Sequence, residues 1–354
     1  MEAASATADA PRPRRSEVAW ELISKYGLIL LLALPVVYYA AVDLSEDGNL
    51  TRLGNNLVEG FSNGAILALI ALGYTLVYGI IELINFAHGE VFMIGALASA
   101  GLFGTFGLTE STGAGGLVLG LLAILVLAML TSGTLNTMIE RVAYRPLRNA
   151  PKLAPLITAV GMSFILQNVG VLWIGASQQS VPDLIGSQKE LFNVFGISIS
   201  RGDVLAVVVT IPLVLLLTTF IARSRLGKAM RATAQDPEAS RLMGINVDTT
   251  ISLTFLLGGL LAGAAGLIST LYQTSIWYFQ GFQAGLLAFT AAVMGGIGNL
   301  RGAVLGAVII GVIQGVVDNR IGNIWTPVFV FAYLILIMVF RPQGLIGEET
   351  REAG

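Results

Sequence analysis

The chain has 354 residues, 55% hydrophobic and 12% charged, with a mean hydropathy of +0.78 and a formal net charge of −2. That apolarity argues against a water-soluble fold, and the absence of cysteine rules out disulfides, thiolate metal sites and cysteine nucleophiles. Forty-two glycines among so much Leu, Ile, Val and Ala point to an all-α, polytopic transmembrane bundle whose helices approach closely through small residues.

Residues 1–25, rich in Ala, Pro and charge, read as a disordered cytosolic tail, with no cleavable signal evident. A helix needs about 20 apolar residues to cross the hydrocarbon core. Ten runs follow, over 26–42, 57–80, 91–106, 117–138, 155–174, 204–221, 250–272, 285–298, 303–317 and 327–340. The eighth and ninth are short enough to suggest tilted, broken or re-entrant helices, so the count lies between eight and ten. With both termini inside, sixteen of the twenty Lys and Arg fall on the cytosolic side, and only Arg52, Lys189, Arg201 and Arg320 lie outside. This alternation agrees with the positive-inside rule. The chain therefore reads as one membrane domain over 26–341, with a cytosolic tail over 342–354.

Between the second and third runs, "YGIIELINFAHGE" places Tyr78, Glu82, Asn85, the single histidine His88, and Glu90 in one short connection. Unpaired, such groups would cost several kcal/mol each in hydrocarbon. Two readings fit. The stretch is either a cytosolic elbow, with Asn85 capping the next helix and His88 and Glu90 paired or solvated, or the lining of an inner mouth or gate. Outside it, only Glu59 falls within an expected span. Asp43 to Asp47 give an acidic outer face, and Arg141, Arg145, Arg148 and Lys152 mark a basic inner loop.

The inner loop 222–249 carries a short amphipathic helix: Asp236 caps it, Pro237 occupies its first turn, and Gly244 stops it. Ala239, Leu242 and Met243 share one face, suited either to a groove on a soluble partner or simply to joining two spans. Farther on, "AAVMGGIGNLRGAVLGAVIIG" is glycine-rich, with Asn299 and Arg301 at its cytosolic turn. It faintly echoes the first break, as an internal two-half repeat would. Asn63, Ser62, Gln167, Asn168, Thr254, Gln280 and Gln283 are candidates to line a passage, with Asn63, Glu82, Asn85, His88, Glu90 and Asn299 the pathway or gate candidates. No charged cluster at mid-membrane looks able to clamp both ends of an amino acid. No P-loop sequence occurs, so the chain has no such ATPase site of its own. No cofactor or metal is expected.

Glu238-Ala239-Ser240, followed after three residues by Gly244, is similar to the E-A-A-x-x-x-G core of the coupling helix of ABC importer permeases. The Ile…Leu-Pro continuation of that pattern is missing. "NGAILALIALGYTLVYGIIELINFAHGEVFMIGA", "RVAYRPLRNAPKLAPLITAVG", "ATAQDPEASRLMGINV" and "GGIGNLRGAVLGAVIIG" together resemble the permease subunit of branched-chain amino acid ABC importers, whose relatives carry urea and short-chain amides. The resemblance implies two ATPase subunits, a second related permease, an extracytoplasmic binding protein and a bacterial inner-membrane location. It also implies that Asp236, Glu238, Ala239, Leu242, Met243 and Gly244 couple the chain to an ATPase. A stand-alone channel or ion-coupled carrier is the rival reading.

Overall fold

A computed structural model describes residues 28–148, 150–151 and 153–347. The tail expected over 1–25, and residues 348–354 of the one expected over 342–354, lie outside the described residues. Ten long helices form at the ten expected runs. In chain order the helices are α1 (Leu28–Glu46), α2 (Thr51–Ile81), α3 (His88–Thr105), α4 (Ala114–Ile139), α5 (Leu153–Ile174), α6 (Arg201–Arg223), the shorter α7 (Arg225–Gln235) and α8 (Pro237–Leu242), then α9 (Val247–Gln273), α10 (Gln280–Gly295), α11 (Leu300–Arg320) and α12 (Thr326–Phe340). Among the described residues, seven helical segments are long and apolar enough to cross a membrane: those containing α2, α4, α5, α6, α9, α11 and α12.

The two runs read as short behave differently. At 16 residues, α10 reaches roughly 24 Å, less than the ~30 Å hydrocarbon thickness. By contrast, α11 is a continuous helix of 21 residues. The apolar run stops at Val317, but the helix continues because Asp318, Asn319 and Arg320 all find partners, in Thr326, Glu59 and Asp43.

The connections gather at two opposite ends. At one, Asp43 pairs with Arg320 at 2.6 Å, Asn55 accepts from the Ser198 backbone, and Gln178 donates to Ser275. This end carries an antiparallel hairpin of β2 (Glu190–Val194) and β3 (Ile197–Ser200), turned on Phe195 and Gly196 at positive φ, as a two-residue type I′ loop requires. A smaller bridge joins β1 (Gln179–Ser180) to β4 (Ser275–Ile276). The sequence reading foresaw neither strand pair. It also placed Asp43 in an acidic solvent face, whereas Asp43 is fully buried because Arg320 and the Leu53 N–H occupy it. At the other end lie the elbow 82–87, the turns after α4, the α7–α8 loop, the 296–299 turn and the segment 341–347.

The centre of the bundle is α2 and α9, each 78% buried over its most apolar window. Leu69, Ile70, Leu72, Phe255 and Ile268 are among the side chains sealed there. On α4, α5, α6 and α12 the outward apolar faces stay uncovered, as Leu119, Leu172 and Leu216 show, and hydrocarbon suits them. A close crossing joins α2 to α11 through Gly60 and Gly64 on one side and Gly311 and Gly315 on the other. A Cβ on Gly60 would stand 2.7 Å from the Gly311 carbonyl oxygen, and one on Gly64 2.9 Å from the Val308 Cα. These are two small-xxx-small pairs in register.

Gly64→Leu is expected to destabilise the bundle by about 1–3 kcal/mol or more, read as a lowered melting temperature in detergent. Gly101→Leu, where a Cβ meets nothing within 4 Å, should leave it unchanged. Equal melting of the two variants would contradict the crossing.

Candidate functional site

Between the hairpin-end halves of α2, α9, α10 and α11 and the start of α12 lies a cavity of about 470 Å³. Its lining is partly polar, from Asn63, Gln273, Gln280, Gln283, Gln314 and Asp318, and partly apolar, from Ile66, Ile70, Phe92, Phe279 and Leu287. Asn63, Ile66, Leu67 and Ile70 follow i, i+3, i+4, i+7 spacing, so a single face of α2 supplies them. Farther along the same helices, the Tyr74 and Phe289 rings stand 5.9 Å apart and Phe86 and Phe289 5.8 Å apart. Beyond this aromatic layer, a small cleft lined by Tyr74, Thr75, Tyr78, Ile84, Phe289 and Ala292 lies at the elbow end.

Of the passage residues expected from sequence, Asn63, Gln280 and Gln283 line the cavity. The others are engaged elsewhere. Ser62 donates to Asp203 at 2.7 Å, Gln167 donates to Glu90 at 2.9 Å, Asn168 bonds the Phe164 carbonyl, and Thr254 bonds Thr250. Gln273, Gln314, Asp318 and Phe92 were not foreseen. The signal for Gln314 and Asp318 was their i, i+4 spacing, hidden because the apolar run ends one residue before Asp318. Glu59 is likewise not alone among helical acids. Glu140 and Asp203 are buried, and Asp203 both closes a capping box with Ser200 on α6 and accepts from Ser62 and Tyr272.

The elbow differs from the reading in which Asn85 caps α3 and His88 and Glu90 pair or meet solvent. Glu82 ends α2 in the left-handed region, with φ 50, and is exposed. Asn85 does not cap α3 with its side chain; its carbonyl accepts from the His88 N–H at 3.0 Å. Its buried amide instead donates to Asn136 and accepts from the Tyr144 hydroxyl, both at 3.1 Å, while Asn136 donates to the Phe255 carbonyl at 2.6 Å. His88 and Glu90 neither meet solvent nor pair with each other, since both are fully buried. The His88 ring lies edge-on to Tyr74 at 4.9 Å, against Gly73, where any Cβ would collide with it. Glu90 accepts from Ser163 at 3.1 Å and from Gln167. Burial follows from Gly89, whose missing Cβ lets α3 slide against Gly281 and Gly285 of α10. Asn299 caps α11 through the Arg301 and Gly302 N–H groups and tethers the Ile346 carbonyl; the cavity lies elsewhere.

The short helix is built as expected. Asp236 Oδ1 accepts from the N–H groups of Glu238 at 2.8 Å and Ala239 at 2.9 Å, and Gly244 takes φ +82. Leu242 is 89% exposed and Met243 82%, and Ala239 is exposed on the same short helix. Just past α8, Asn246 caps α9, and Asp248 pairs with Arg145 at 2.8 Å and with Arg148. Arg148 also pairs with Glu140, which accepts from Ser252 at 2.6 Å. Two arginines of the basic loop are thus committed within the chain. A groove of about 490 Å³ opens beside them on the flank of α4 and α9, lined by Thr134, Arg141, Arg145, Asn246, Asp248 and Leu256; none of its lining residues also lines the central cavity.

A helical bundle sheathed in apolar side chains, with a solute-sized cavity closed on one side by an aromatic layer and a capped helix exposed at one end, has the features of a polytopic membrane permease. Residues 56–339 match the family described as branched-chain amino acid transport system / permease component, and the chain belongs to that family. It is 42% identical over 298 residues to the high-affinity branched-chain amino acid transport system permease protein BraD of Pseudomonas aeruginosa, covering 84% of this chain and 96% of that one. It is 40% identical, with the same coverage, to LivH of Escherichia coli K12, a high-affinity branched-chain amino acid transport system permease protein. It is 26% identical over 321 residues to a probable branched-chain amino acid transport permease protein of Methanocaldococcus jannaschii, covering 86% of this chain and 96% of that one.

Asn136→Ala strands the Asn85 amide and removes the donor to the Phe255 carbonyl. Buried groups left unpaired cost about 1–3 kcal/mol, so thermal unfolding in detergent should begin clearly earlier than in the parent. A parent-like melting temperature would mean that water replaces the lost partner.

Proposed function

We infer that the chain is the permease subunit of an ABC importer in a bacterial inner membrane, passing leucine, isoleucine or valine from an external binding protein to the cytosol. The path is completed by a second, related permease subunit, and two ATPase subunits drive it. The chain crosses the membrane eight to ten times with both termini cytosolic. In support, the elbow end carries Arg141, Arg145, Arg148, Arg223, Arg225, Lys228, Arg231, Arg241, Arg301 and Arg341, while the hairpin end carries four basic residues.

The observation that carries this reading is α8. An Asp-capped helix stopped by a left-handed glycine, with Leu242 and Met243 almost wholly exposed, is an apolar knob presented to the cytosol and suited to a groove on a motor subunit. Two features make it a lever rather than a loop ornament. It passes into α9 through Asn246, and Asp248 fastens that first turn to Arg145 and Arg148. In this frame the cavity opens outward, and the Tyr74, Phe289 and Phe86 rings form its cytosolic closure, so the fold corresponds to an outward-facing, inward-closed state. Neutral amides predominate in the polar part of the lining, which favours an amphiphilic small solute over an ion.

The test is reconstitution of the full complex in proteoliposomes, with labelled leucine uptake followed with and without ATP and binding protein, and urea as the competing cargo. ATP-dependent leucine uptake is expected. Uptake by this chain alone, indifferent to ATP, would establish a channel or carrier instead, and ATP-driven urea uptake without leucine uptake would reassign the cargo. Leu242→Asp combined with Met243→Asp should lower ATP-driven uptake at least about tenfold with an unchanged melting temperature, because both side chains are almost wholly exposed and a charge on each removes the docking knob. Full uptake in that variant would remove α8 from the coupling role.

A further inference from the structure

The cavity carries more chemistry than loose passage needs. Among its lining residues Asp318 bears the only formal charge, and no Lys or Arg lines the wall. Arg320, two residues on, is committed elsewhere: it pairs with Asp43 at 2.6 Å, with side-chain exposures of 4% and 0%, and lies over the Tyr39 ring at 5.1 Å. Asp318 is held by the Thr326 hydroxyl and reached by the Gln314 amide. A carboxylate has about four lone-pair sites, so acceptor capacity remains for a cationic ligand group.

Gln280 supplies the complement. Its Oε1 accepts from the Trp277 N–H at 3.3 Å, which fixes the amide's orientation, while its Nε2 is buried without a hydrogen-bond partner. Since Gln280 lines the cavity, that free donor suits an acceptor on a ligand. Ile66, Ile70, Phe92 and Leu287 give the same cavity an apolar part to its lining. The volume of about 470 Å³ falls within the range of small-molecule sites, roughly 300–1,000 Å³.

We propose that this cavity is a binding site within the permease for a zwitterionic, apolar amino acid, with Asp318 taking the α-ammonium, Gln280 the carboxylate, and the Ile66–Ile70–Phe92–Leu287 wall the side chain. The assignment rests on the reading of the chain as an amino-acid importer permease. One carboxylate facing neutral amides binds the ammonium end more strongly than the carboxylate end, so an amine lacking the carboxylate still binds and an acid lacking the amine does not.

Because the chain contains no cysteine, a reporter is simple to place. Asn323 lines the cavity and is exposed. In the full complex carrying Asn323→Cys, maleimide labelling of this chain is followed by mass spectrometry without binding protein, in the presence of leucine, 3-methylbutylamine or 4-methylpentanoate. Leucine and the amine should slow labelling several-fold and the acid should not; Asp318→Asn should abolish protection by leucine, roughly a tenfold or greater loss for removing one side of a desolvated charge pair. Protection by the acid equal to that by leucine, or no protection by leucine at all, overturns the site. If Asp318→Asn does not assemble, the ligand series on the Asn323→Cys parent still decides. ATP-driven leucine uptake by the unsubstituted complex is measured alongside: its absence defeats the importer reading, whereas its presence without ligand protection defeats only the site.

Discussion

Everything in this bundle depends on backbones coming closer than side chains normally permit. Lipid tails are as apolar as Leu, so helices gain nothing from hiding apolar surface from one another and must adhere through dense packing. At the α2–α11 crossing, Gly60 and Gly64 meet Gly311 and Gly315 with no room for a single Cβ. At the α3–α10 crossing, Gly89 does the same against Gly281 and Gly285. Between them these contacts hold together the helices that line the cavity: α2 and α11 bring Asn63, Gln314 and Asp318, and α3 and α10 bring Phe92, Gln280 and Gln283. The cavity is the space left where large side chains resume beside the glycine contacts.

The elbow end is organised by the opposite requirement. Polar groups taken out of water must find partners inside the protein, and here they chain together. Asp248 binds Arg145 and Arg148, Arg148 binds Glu140, and Glu140 accepts from Ser252. One turn up α4 from Glu140, Asn136 ties the Phe255 carbonyl to Asn85. Asn85 sits next to Phe86, whose ring packs on Phe289 in the aromatic layer. Contiguous contacts transmit motion only where an element has two arrangements available. The elbow separates α2 from α3 and begins at Glu82 in the left-handed region.

Hydropathy and charge were enough to place all ten long helices within a few residues, because a membrane span must be both long and apolar. The short helix α8 was legible for a different reason: Asp236, Pro237 and Gly244 are local signals whose geometry is set by neighbours in sequence. The interior polar groups were not legible. Asn85 reads as a cap and Asp43 as surface because each is polar and close to a helix end, yet Asn136, Tyr144 and Arg320, which bury them, lie 51, 59 and 277 residues away. Asp318 was missed by a narrower margin. Hydropathy ends a helix where apolar residues end, whereas the backbone ends it where hydrogen bonds do.

The chemistry of the cavity also bears on where selectivity resides. A solute that must be released on every cycle cannot be held by a site that satisfies all of its charge, since conduction needs binding favourable enough to enter and weak enough to leave. A carboxylate and an arginine together would clamp both ends of an amino acid and also bind each other when it departs. With Arg320 withdrawn to Asp43, the cavity retains one charge, and its carboxylate is already partly occupied by Thr326 and Gln314. Such a wall recognises a solute by one end and an apolar flank, at modest affinity. Finer discrimination among side chains of similar size is therefore left to the external binding protein, where tight binding does not slow translocation.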